Sequence, residues 1–150
     1  MEAFVVAGAG FLLAVLWFDL MHDVLVRGHD GELPADDLQT IGGYYRRVTT
    51  DAHPMGRMVL VAMLATLVAA INQIARDLDP VWVAWVSAAI VLAAMVLVRV
   101  RTFPNAVRIG LGEAPASERS DLARAVYRDH VVCFAGMATV VAVQLWSAAN

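Results

Sequence analysis

The sequence predicts an all-α protein, a four-helix transmembrane bundle with short cytoplasmic interfacial helices. Three observations predict it. The 150 residues are 60% apolar, with a mean hydropathy of +0.65, whereas soluble domains sit nearer about 45–50%. Four stretches approach the roughly 20 apolar residues that a spanning helix needs. Ten of the eleven basic residues fall on one side of those stretches. A chain this short forms one domain, taken as 1–150.

The first span covers about 3–25: Ala3 to Phe18 is uncharged, and the helix should continue to about Leu25. The second covers about 54–75, with Thr66, Asn72 and Gln73 among its few polar residues. The third, 80–98, is uncharged, and the fourth covers about 128–149. A buried soluble helix would be shorter and would carry a polar stripe. Pro34 to Tyr45 predicts a short interfacial helix interrupted at Gly42-Gly43. Pro54 suits the first turn of the second span. Pro104 should end the third, and Ser117 is the expected N-cap of a long helix running through Tyr127 and His130.

Orientation follows from charge. Arg27, Arg46, Arg47, Arg57, Arg99, Arg101, Arg108, Arg119, Arg124 and Arg128 share one side, and Arg76 stands alone on the other. Basic residues stay on the cytoplasmic side. The long connections 26–54 and 99–130 are therefore expected in the cytoplasm, with both termini and the 76–80 turn outside. The setting is a cytoplasmic membrane of the bacterial inner-membrane kind. Trp82, Trp85 and Trp146 then lie near the outer interface and Trp17 near the inner one, as an aromatic belt requires. Small residues at four-residue spacing, such as Gly10 and Ala14, Ala62, Thr66 and Ala70, Ala84 and Ala88, and Ala138 and Ala142, suit close helix packing in lipid. Met1-Glu2 lacks a basic n-region, so no cleavable signal is expected. The one cysteine excludes an intrachain disulfide. Acids interleave with the arginines, which argues against a nucleic-acid patch.

Polar chemistry collects at the cytoplasmic boundary. His22 ends the first span, His53 opens the second and His130 opens the fourth. Asp19, His22 and Asp23 share a helix face by their spacing. Asp51 lies two residues before His53, and Asp129 adjoins His130. Asp19 lies a turn inside the apolar limit, so it needs a partner in the bundle. Arg57 is the expected one, and Asp23 can pair with Arg27. His22, His53, His130, Asp51 and Asp129 form a candidate set of metal ligands, chemically suited to iron, zinc, manganese or copper. A haem held by two of the histidines is a narrower case. Against a metal stand the absence of HxxxH, ExxH and CxxC spacings and the natural richness of interfaces in His, Asp and Arg. Cys133 reads as packing. Asn72 and Gln73 read as interhelical hydrogen-bonding groups, and Tyr44 and Tyr45 as interface anchors.

The layout resembles the anthrone-oxygenase-like membrane proteins, a group with four helices. The likeness is carried by Gly-Ala-Gly-Phe at 8–11, by Pro54 opening the second helix, by Pro104-Asn105 after the third, and by Tyr-Arg-Asp-His at 127–130. Arg128, Asp129 and His130 stand where the group tends to carry a tryptophan and an asparagine–arginine pair. His22 and Asp23 stand where it tends to carry a proline. The resemblance implies oxidative handling of an apolar small molecule. The leading expectation is therefore a site at the cytoplasmic mouth of the bundle. Asp19 and Asp23 would be its charged groups, the histidines its ligands or acid–base groups, and Arg57 and Asn105 would position substrate. The expected surroundings are the lipid bilayer, an apolar substrate from it, and other copies in a homo-oligomer. The alternative is a non-enzymatic accessory or assembly subunit of a larger membrane complex. Transport ranks third, because no span is broken in mid-membrane.

Overall fold

The computed structural model describes residues 2–51, 53–78 and 80–149. It is 89% helical with no strand among the described residues, an all-α bundle. The helices are α1 (Glu2–Asp23), α2 (Ala35–Arg46), α3 (His53–Ala75), α4 (Val81–Leu97), α5 (Phe103–Leu111) and α6 (Ala116–Ala149). Four candidate spans, Glu2–Val26, Pro54–Ala75, Val81–Leu111 and Ala116–Ala149, are long and apolar enough to cross a membrane. They leave large apolar side chains outward, Phe4 at 70%, Val61 at 64% and Val132 at 63% exposed. Large apolar side chains are exposed on all four spans, which suits an apolar surrounding.

The bundle is a ring of antiparallel neighbours. α1 packs on α3, α3 on α4, α4 on α6, and α6 back on α1. Its core is Val5, Ala9, Leu12, Met63, Ala70, Val91, Met137 and Val140, with Cys133 buried among them as packing. A second core, including Leu33, Leu38, Ile41, Ala106, Ile109, Ala123 and Val126, lies under α2, α5 and the first turns of α6. It forms a cap on one end of the bundle. α6 runs unbroken through both cores.

Several local expectations change. Pro104 does not end the third span. A wide π-type turn, Val98–Thr102, precedes it and leads straight into α5, with the proline in that helix's first turn. A widened turn shifts the hydrogen-bond register, so the missing proline N–H and the ring are accommodated. A matching wide turn, Arg47–Asp51, follows α2 and ends three residues before Pro54. α2 continues unbroken through Gly42-Gly43, with Gly42 buried against Ile109 O and Gly43 facing open space. Ser117 falls inside the first turn of α6, not before it. Thr66, Ala70, Ala84 and Ala88 face the interior as the spacing predicts. The close approach on α1, however, is at Gly8, where a Cβ would collide with Thr66, while Gly10 faces open space and Ala142 is exposed.

The opposite end is tied by two devices. Gln73 and Gln144 exchange both amide hydrogen bonds at 3.0 Å, and Gln144 also donates to Ser87 Oγ at 3.0 Å. One buried triad thus joins α3, α4 and α6. Asn72 instead donates to Val68 O within its own helix. α3 ends with Asp77 at φ 50°, the N–H of Leu78 returning to Gln73 O and that of Asp77 to Ile74 O. This is the Schellman pattern with aspartate where glycine is usual.

Candidate functional site

The site lies where cap meets bundle. The last turn of α1 presents Asp19 and Asp23 on one face. Consecutive residues of α2 reach them: Tyr44 Oη donates to Asp19 Oδ1 at 2.5 Å, and Tyr45 Oη donates to Asp23 Oδ1 at 2.5 Å. His130 comes in from α6. Its Nδ1 lies 2.6 Å from Asp23 Oδ2, and its Nε2 lies 3.9 Å from Asp19 Oδ2. Asp23 is 1% exposed, Tyr45 2% and His130 7%. Buried charge is tolerable only when paired and hydrogen-bonded, and each carboxylate here has both a phenol and the imidazole beside it.

The two halves differ. Asp23, Tyr45 and His130 form the closed inner half. Tyr44 is half-buried, stacked on the partly exposed His22 ring at a centroid distance of 3.9 Å and 9° between planes. His22 Nδ1 lies 3.0 Å from Phe18 O. Burial pushes both phenols far above their usual ionisation, and the carboxylates of Asp19 and Asp23 push them the same way. They act here as fixed hydrogen-bond donors.

Close helix approach sets these positions. Gly110 of α5 rests on the backbone of α2: a Cβ there would sit 2.7 Å from Arg46 N and 2.9 Å from Arg46 Cα. That contact fixes α2 beside Tyr45. The segment between α1 and α2 is folded onto α6, where Ser120 Oγ accepts the N–H of Leu33 at 3.0 Å and Arg124 Nη2 donates to His29 O at 3.1 Å and to Gly31 O.

The expected metal set is not assembled. Among the described residues no three His, Cys, Asp or Glu side chains are disposed to hold a metal ion. His22 is spent on the Tyr44 stack, and Asp51 is exposed in the wide turn. Asp129 takes the hydroxyl of Thr102 at 3.1 Å and Arg101 Nε at 3.4 Å, so it anchors the other wide turn. The His53 side chain lies outside the described residues. Arg57 is not the partner of Asp19. It lies on the bundle's outer face, and among the described residues it makes no ion pair. Arg27 likewise leaves Asp23 to Tyr45 and His130. Asn105 is half-buried in α5 and makes no hydrogen bond to the cluster.

Of the expected site residues, Asp19, Asp23 and His130 come together, with His22 at the margin. The sequence reading missed Tyr44 and Tyr45. The signal available was a tyrosine pair in the connection that follows two carboxylates one turn apart. As interface anchors they would stand free at the bundle edge; in the structure Tyr45 is enclosed and both phenols are committed to carboxylates. No family model, curated protein or solved structure matches the chain, so the likeness to the anthrone-oxygenase-like proteins rests on the layout and the residues quoted for it.

Proposed function

We propose that the chain is an integral membrane protein whose Asp23–His130 pair performs acid–base chemistry on an apolar small molecule arriving from the bilayer. The observation that carries this reading is the asymmetry of the imidazole. Nδ1 is held by Asp23, itself held by Tyr45, while Nε2 makes no hydrogen bond among the described residues. A carboxylate on one ring nitrogen fixes the tautomer and orientation, and leaves the other nitrogen to exchange a proton. In this reading His130 Nε2 takes or gives the proton. Asp23 orients the ring and balances its charge, Tyr45 positions Asp23, and Asp19 with Tyr44 provides a second polar pair across the 3.9 Å gap.

The test begins with the detergent-purified native protein. Bound small molecules are extracted and identified by mass spectrometry, beside metal analysis and a visible spectrum. A molecule retained by the wild type and lost in His130→Gln, with the helical signal unchanged, supports the reading. Stoichiometric metal lost in the same variant replaces it with a metal centre. A protein with neither, holding a stoichiometric protein partner in mild detergent, replaces it with the accessory-subunit reading.

In the same proposal the cap lies in the cytoplasm and both termini lie outside, supported by the ten arginines at the cap end. Cys133 is the only cysteine and is buried, so the labelling background is low. Introduced single cysteines at His29 and Ser147 should react oppositely with a membrane-impermeant maleimide on intact cells, the second and not the first. Labelling of His29→Cys alone would invert the topology.

A further inference from the structure

Arg57 is the only charged residue in the span Pro54–Ala75, whose mean hydropathy is 2.1. It stands about one turn inside α3 and is exposed. The carboxylate expected to neutralise it, Asp19, is taken by Tyr44 and faces His130. Among the described residues Arg57 has no ion pair and no side-chain hydrogen bond. It is nonetheless set against something. With Phe11, Met58, Val61 and Ala62 it lines a shallow apolar groove between α1 and α3 on the outer face of the bundle. None of the residues of the His–Asp–Tyr cluster lines it.

A cation within an apolar span needs an anion or a route to the interface. A guanidinium is fitted to phosphate, which it holds through paired N–H groups. Phe11, Met58 and Val61 are 40%, 57% and 64% exposed, which leaves them open along the groove. The groove wall is almost wholly apolar, so Arg57 lends it the aliphatic stem, and the charged guanidinium belongs at its margin. Arg46 and Arg47, exposed and without ion pairs among the described residues, stand where α2 turns towards α3 and add to the positive field at that boundary. We propose that this groove is a binding site for one anionic phospholipid, its phosphate on Arg57 and an acyl chain along Phe11, Met58, Val61 and Ala62. The inference requires that α1 and α3 lie in a bilayer, and is independent of the chemistry proposed for His130.

The test is native mass spectrometry of the full chain released from nanodiscs of equimolar phosphatidylglycerol and phosphatidylcholine. The wild type should retain one phosphatidylglycerol with a preference on the order of tenfold, as a charge-assisted hydrogen bond allows. Arg57→Gln should abolish the preference. Val61→Trp, which fills the groove from the exposed side and keeps the charge, should abolish it too, and it covers the case in which the first variant fails to fold. The double variant Arg46→Gln/Arg47→Gln should keep most of it. A preference that survives in Arg57→Gln and falls in the double variant would overturn the site in favour of diffuse attraction to the basic rim. Displacement of the lipid by excess inorganic phosphate would overturn the lipid as its occupant.

Discussion

The Tyr45 hydroxyl and the Asp23 carboxylate show what a single atom does at this junction. Tyr45→Phe removes one donor and leaves a buried carboxylate oxygen unsatisfied, a loss of about 1–3 kcal/mol. Tyr44→Phe should cost less, because Asp19 is 16% exposed and water can replace the phenol. Chemical denaturation of the two variants in detergent checks the order. The same phenols fix a pH dependence. Their ionisation in the folded protein lies far above the ordinary value of 10.0, driven first by burial and then by Asp19 and Asp23. Above pH 10 the unfolded chain loses phenolic protons that the folded protein keeps. The stabilisation is therefore complete below pH 10 and declines as pH rises past it. The phenolate absorbance at pH about 11 should be the same in the wild type and in Tyr44→Phe/Tyr45→Phe. A smaller signal in the variant would mean that these tyrosines titrate freely. At this scale the sequence was legible where spacing governs: Asp19 and Asp23 share a face because four residues make a turn. The role of Tyr44 and Tyr45 was not, since it depends on where α2 docks, and that is set by Gly110 some 65 residues away.

Elements here are joined more smoothly than their prolines suggest. Pro104 and Pro54 each follow a widened turn, and at Pro104 the long α4 runs through that turn straight into the cap helix α5. Proline announces a break, and nothing in the flanking residues announces the register shift that avoids it. That is why Pro104 reads as a helix end in the sequence, although the bounds 80–98 agree with α4. At Gly110 the backbones of α5 and α2 come too close to admit a Cβ. Gly110→Ala should push α5 from α2 and cost about 1–3 kcal/mol. Its effect should reach the His130–Asp23 pair through Tyr45, which histidine NMR shifts would reveal; unchanged shifts would mean that the cap moves without the cluster. At the far end, Asp77 holds a left-handed conformation that glycine adopts without strain. Asp77→Gly should stabilise the turn by up to about 1 kcal/mol, read as a raised unfolding midpoint.

The whole molecule was the most legible level. Four long apolar stretches with short or charged connections admit few arrangements, and the ring of antiparallel neighbours follows from chain order once each helix must cross. The small second core was less visible. It draws on Leu33, Leu38, Ile41, Ala106 and Ile109, scattered through connections read as interfacial. The unbroken passage of α6 through both cores has a consequence for cooperativity. A 34-residue rod shared by cap and bundle cannot melt in one without exposing the other. Slow amide hydrogen exchange should therefore extend as one block along 120–144. The wide turns at 47–51 and 98–102 should exchange first, as the seams along which the fold breathes.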